Sequence, residues 1–186
     1  MINKIFLFFF LLNFFNFSYA SVENKIISNF NNINNISFNF KQTINDKNEE
    51  GSCIIQYPKK IYCEYKNLKK KLIVSNGSSL VIKNQVGKEY FIYPLEQTPF
   101  GLILDKNLLL EKIQKLKVKF IDEKYYFFNM KNNGTLINIF FDKNSYDLIG
   151  WQTEDIYQNL SATYIYDFKI NQNINEKIFN LPKSHN

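Results

Sequence analysis

Arginine is absent from the chain, and histidine occurs once, at His185 beside the C-terminus. A histidine in a terminal segment is poorly placed as a general base. With one histidine and two cysteines no zinc or iron ligand set has the right spacing. Gly-rich phosphate loops, a G-x-S-x-G elbow and a Cys/His pair within the fold are all missing. The adjacent carboxylates Glu49-Glu50 and Asp122-Glu123 fall in expected turns, where they read as solvating groups. These absences argue against an enzyme and against any cofactor or metal. They also argue against nucleic acid as a partner, since its readers cluster arginine in recognisable modules and none is visible here. The formal net charge of +6 rests on lysine alone. Spaced lysines mostly mark a solvated surface, although a weak attraction to anionic membrane surfaces is compatible with them.

Long hydrophobic runs are also lacking, with one exception at the start. Met1–Lys4 is a short positive stretch, Ile5–Phe17 is rich in Phe and Leu, and Ser18-Tyr19-Ala20 is a small-x-small cleavage site. The three parts together predict a secretory signal peptide over 1–20, cleaved after Ala20. A membrane anchor is the competing reading, but a helical span needs about 20 apolar residues and this run is shorter and broken by Asn13 and Asn16. No cysteine follows the cleavage site, so no lipidated N-terminus is expected. The remainder, 21–186, is the length of one domain and is expected to be exported and not membrane-spanning.

What is present is alternation. Ile36, Phe38 and Phe40 share one face of an expected strand; Ile61, Cys63 and Tyr65 share one face of another, opposite Tyr62 and Glu64. Leu72 and Val74 alternate similarly, and near the C-terminus Ala162, Tyr164, Tyr166, Phe168 and Ile170 oppose Ser161, Thr163, Asp167 and Lys169. Asn76-Gly77 is a strong hairpin signal. Ser21–Ile33 reads as a short amphipathic helix, with Ile26, Phe30 and Ile33 on one stripe. About ten short strands in sequence order predict an antiparallel sheet, curled or closed, with one oily side. Face parity groups these residues without saying which face is concave.

Into this strand pattern the chain inserts TPFGLILDKNLLLEKIQKL, two greasy helical stretches. Thr98 and Asp105 are expected as N-caps, with Pro99 at the first helical position. Phe100, Leu102 and Leu104 line the first stretch; Leu108 and Leu109 line the second. Cys53 and Cys63 lie in the two arms of the YPKK hairpin. A pairing of Tyr57 with Ile61 leaves them off register, and a one-pair shift sets them opposite; either a disulfide or two small buried apolar residues would satisfy the pattern.

In order and spacing, SFNFKQT, YPKKIYCEY, LIVSNGSSLVI, YPLEQTPFGLIL and the closing LIGWQTED and LSATYIYDFKI strands resemble LolA, the periplasmic outer-membrane lipoprotein carrier family. The resemblance implies an incomplete antiparallel β-barrel whose concave hydrophobic face lies under a lid of short helices, in a monomer. It further implies acylated lipoproteins as cargo, an inner-membrane ABC exporter (LolCDE-like) as donor, and a LolB-like outer-membrane receptor as acceptor. Under it, the acyl-chain cavity and lid comprise Ile36, Phe38, Phe40, Ile61, Cys63, Tyr65, Leu72, Val74, Phe100, Leu102, Leu104, Leu108, Leu109, Tyr164, Tyr166 and Phe168. The family commonly sets an arginine in the Pro-hairpin to tie lid to barrel. Tyr57 and Tyr62 occupy those slots here, and Lys59 and Lys60 are the other latch candidates. Two alternatives keep the fold but change the role: a lipid- or lipoprotein-binding sensor or receptor, and a structural module with a filled barrel.

Overall fold

The computed structural model describes residues 21–86, 89–154 and 159–184. The expected signal peptide, His185 and Asp155 lie outside them. Helix α1 (Val22–Asn31) starts where Ser21 Oγ accepts from Asn24 N at 3.2 Å, and it buries Ile26 and Phe30. Eleven strands follow: β1 (Asn35–Ile44), β2 (Lys47–Gln56), β3 (Lys60–Tyr65), β4 (Lys71–Asn76), β5 (Ser79–Asn84), β6 (Tyr90–Pro94), β7 (Lys119–Ile121), β8 (Tyr125–Asn132), β9 (Thr135–Asp142), β10 (Leu148–Glu154) and β11 (Leu160–Ile170).

The turns are those the sequence chemistry dictates. Asn45 and Asp46 both take positive φ, 45° and 64°, so the turn is confined to these two residues; β2 starts at Lys47, and Glu49 and Glu50, expected in a turn, lie within that strand. At the Asn76-Gly77 hairpin, Gly77 has φ 103° and Asn76 Oδ1 accepts from the amides of Ser78 and Ser79. The β2–β3 turn holds a cis Tyr57-Pro58 bond and Lys59 at φ 69°.

All strands belong to one antiparallel sheet ordered β6-β5-β4-β3-β2-β1-β11-β10-β9-β8-β7. Two meanders meet at the β1–β11 pair, and β6 and β7 are left as open margins. The sheet curls without closing into a barrel. Between these two margins the chain carries a 3-10 turn (Leu95–Gln97), α2 (Phe100–Ile103) and α3 (Lys106–Lys115). After β11 the chain runs back through a 3-10 turn (Glu176–Phe179), which packs on β3 and β4.

The core lies between the concave face and the helices. Residues opposite one another in an antiparallel pair share a face. Phe38↔Cys53, Cys53↔Cys63, Cys63↔Ile73 and Ile73↔Ile82 therefore trace one inner row across five strands. Trp151↔Thr163, Trp151↔Ile139 and Phe128↔Ile139 extend the inner face across the other meander.

An apolar wall and its helical cover

Ile36, Phe38, Phe40, Ile61, Cys63 and Tyr65 are all buried on the concave side, none more than 8% exposed. Aromatic edges meet along this wall: Phe40 on Tyr65 at 4.8 Å and Phe38 on Trp151 at 6.2 Å between centroids. Gly51, paired with Phe40, makes room for the Phe40 ring, because a Cβ there would stand 2.7 Å from it. The Phe40 ring lies in the space a side chain would fill.

Register settles the cysteines. Ile55 pairs with Ile61 and Gln56 with Lys60, so Cys53 and Cys63 face each other directly and form a disulfide. The bridge is part of the oily wall.

Over the wall lie Leu102, Ile103 and Leu104 of the α2 segment and Leu109 and Ile113 of α3, each at most 1% exposed. Phe100 and Leu108 are half-buried, and Phe100 stands edge-on to Trp151 at 6.4 Å. The wall is thus filled by the cover, not by a second sheet. Helix α1 belongs to the same cover, which the sequence reading did not anticipate. Its Phe30 meets Tyr57 at 5.5 Å and Phe141 at 6.3 Å, both edge-on. Also unanticipated are the inner rows Phe128 and Met130, Ile137, Ile139 and Phe141, and Trp151 with Ile165, all buried. Their alternation is as clear as that of β1 and would have found them.

The cap at Asp105 forms as expected, its carboxylate accepting from Leu108 N at 3.1 Å. Thr98 does not cap. Its Oγ1 donates to Leu95 O at 2.7 Å, closing the 3-10 turn, and α2 has no side-chain cap.

Polar ties hold the cover at its rim: Asn133 Nδ2 donates to Glu96 O at 2.6 Å, Asn29 Nδ2 to Asp147 Oδ1 at 2.9 Å, and Val118 N to Glu23 Oε1 at 3.1 Å. Lys59 N donates to Leu104 O at 2.8 Å, and its ammonium bridges Glu96 at 2.7 Å and Asp105 at 3.3 Å. Hydrogen bonds to these two carboxylates, Glu96 foremost, raise the Lys59 pKa above the ordinary lysine value. Lys106 donates to Asn31 O and Ile33 O, both at 2.9 Å, tying the start of α3 to the end of α1; burial lowers its pKa. Of the four latch candidates, the structure brings Lys59 into polar contact with the cover. Tyr57 touches it through its ring, and its hydroxyl is sealed from solvent without a partner, which pushes the phenol pKa up. Lys60 instead pairs with Glu176, and Tyr62 donates to Glu64, both on the outer face.

Five further expectations are corrected. Leu72 and Val74 are buried, but on the outer face: Val74 pairs with Tyr62 and Val81, and the Glu176–Phe179 turn packs against β4 there. Both faces of β4 are covered, so parity alone misassigns it. Tyr164 and Tyr166 also point outward, in register with Lys41 and Asn39, and stack on one another at 6.1 Å. The inward residues of β11 are Thr163 and Ile165, opposite Gln42 and Phe40. Phe168 sits at a bulge, where the register slips between Ser37 and Asn39 and Asp167 takes φ 50°; it is 36% exposed. The extra residue breaks the alternation that grouped it with the tyrosines.

An open, curled antiparallel sheet whose oily inner side is closed by helices rather than by strands defines a class of proteins built around a coverable apolar wall. The family described as outer membrane lipoprotein carrier protein LolA matches residues 31–182, and the chain belongs to it. Among solved structures, an uncharacterized conserved protein from Thermus thermophilus shares the fold, with a TM-score of 0.52 and 9% identity over 87% of this chain and 93% of that one. A LolA superfamily protein from Nitrosomonas europaea aligns at TM-score 0.46 and 11% identity over 87% and 99% of the two chains. The Pseudomonas aeruginosa MucA/MucB complex aligns at 0.48 and 6% identity over 88% of this chain and 60% of that one. No curated protein matches the chain in sequence. Among the described residues, no helix is long and apolar enough to cross a membrane.

Proposed function

We propose that the protein is a periplasmic carrier that shields the acyl chains of lipoproteins between an inner-membrane ABC exporter and the outer membrane. One observation carries this reading: the apolar wall is covered by short helices whose buried side chains against it are apolar, so the surface is available once the cover moves. Membership of the LolA family and the expected signal peptide support it.

The energetics demand such a device. Exposing an acyl chain to water costs about 0.8 kcal/mol per methylene, so three chains of about 16 carbons amount to roughly 35 kcal/mol. Non-directional contacts with Phe, Ile, Leu and Trp side chains hold chains of varied length and leave no hydrogen bonds to break at release. In the closed form the leucines of α2 and α3 occupy the wall. Cargo competes with them for the same surface, and loading is a population shift between closed and filled forms. The Lys59 bridges and the Lys106 contacts set how readily that shift occurs.

The test is the composition of the protein isolated from its own periplasm. Native mass spectrometry after cross-linking should find acylated lipoprotein bound to it. Protein that is empty under trapping conditions, and that takes up no acyl chain when offered one, would overturn the proposal.

A further inference from the structure

The β3–β4 connection, Lys66–Lys70, carries Leu68 at its tip with 96% of its surface exposed. A single exposed leucine is ordinary in itself. This one stands on a built support. Lys66 N donates to Glu50 O at 2.7 Å and Lys70 N to Asn67 O at 2.9 Å, while Asn67 Oδ1 accepts from Lys71 N at 3.1 Å. The next connection is stitched to it: Gln85 N donates to Lys70 O at 3.3 Å and Val86 N to Lys69 O at 3.2 Å. Val86, 67% exposed, is thereby bonded through its backbone to Lys69, the residue after Leu68.

Lysines surround these two aliphatic side chains. Lys69 pairs with Glu89 at 3.3 Å, and Lys66 and Lys70 make no ion pair among the described residues. Backbone bonds pin the loop at both ends, and Leu68 stands exposed between them. Aliphatic tips collared by lysine suit the boundary between acyl chains and anionic headgroups: the apolar atoms enter, and the long lysine stems keep their ammonium groups at the phosphates.

We propose that this tip docks the protein onto an anionic lipid surface, Leu68 and Val86 entering the interface and Lys66, Lys69 and Lys70 contacting the headgroup phosphates. The inference stands on the loop geometry and not on the carriage of cargo. The chain's formal positive charge, +6, or +5 once Lys4 leaves with the expected signal peptide, complements such a surface. Each lysine held near it contributes roughly fivefold to partitioning. One small tip gives reversible contact, as a protein that must leave again requires.

Co-sedimentation with large unilamellar vesicles tests it. The protein should bind vesicles of phosphatidylglycerol and phosphatidylcholine in equal parts at low salt, and bind pure phosphatidylcholine far more weakly. Leu68→Ser should lower binding to the mixed vesicles roughly tenfold. The double variant Lys66→Gln/Lys70→Gln should lower it roughly twenty-fold and flatten its salt dependence. Lys169→Gln, an exposed lysine on another strand, should leave it unchanged. Absence of binding to the mixed vesicles, undiminished binding by Leu68→Ser, or an equal loss from Lys169→Gln would each overturn the proposal. Protein that is empty under trapping, takes up no acyl chain when offered one, and still binds vesicles would sink the carrier reading and leave the docking inference standing.

Discussion

Lys59 does at one position what an arginine fork would do with more donors: it reaches two carboxylates on different parts of the cover. Replacing it by methionine keeps the stem and removes both bridges. The partly exposed pairs contribute about 1 kcal/mol or less each, so Lys59→Met should stay folded while amide exchange over Leu102–Leu109 quickens several-fold and exchange in β1 and β2 does not change. The sign of the pH dependence follows from its raised pKa. The contribution is complete below the ordinary lysine value and is lost as pH rises through the higher folded value. Parent and variant should thus differ at neutral pH and converge only in strong alkali, which exchange measured across pH will check. The disulfide acts on the unfolded chain, closing a loop between residues ten apart. Cys53→Ala/Cys63→Ala should lower stability by about 2–3 kcal/mol in denaturant titration.

Element by element, the sequence was legible where one face of a strand meets one environment. In β1 and β3 the alternation of Ile36, Phe38 and Phe40 and of Ile61, Cys63 and Tyr65 marks the wall correctly, and the Asp105 cap marks the start of α3. It was misleading where a second layer or an irregularity intervenes. Leu72 and Val74 are as apolar as wall residues because the chain after β11 covers the other side of β4. On β11 the outward row holds Tyr164 and Tyr166, while the inward row carries the smaller Thr163 and Ile165, so hydrophobicity pointed the wrong way. Nothing in a strand's own residues tells which face a distant segment will cover. The returning segment has a measurable weight of its own. Phe179, 2% exposed, anchors it, with Lys60 placed over its ring and paired to Glu176. Phe179→Ala should cost about 3 kcal/mol, seen as a lowered denaturation midpoint.

For the molecule as a whole, the proposed carrier role comes with a built-in reporter of loading. The chain has one tryptophan, Trp151, buried in the wall with Phe38 and Phe100 edge-on to it. On the proposed carrier role, an acyl chain entering the wall displaces Phe100 from that contact. Titration with a long-chain fatty acid should shift Trp151 emission, speed amide exchange in α2 and α3, and protect the inner strands. A short-chain acid, with few methylenes to bury, should do none of these at equal concentration.

The covering segment leaves the sheet at β6 and rejoins it at β7, the two margins of the same opening. Anchored at both ends by the chain itself, it is able to swing aside but not to diffuse away. If the proposed carrier role holds, re-sealing after discharge is a unimolecular event, its rate independent of how dilute the protein is, and the empty vessel resets without a nucleotide or outside helper.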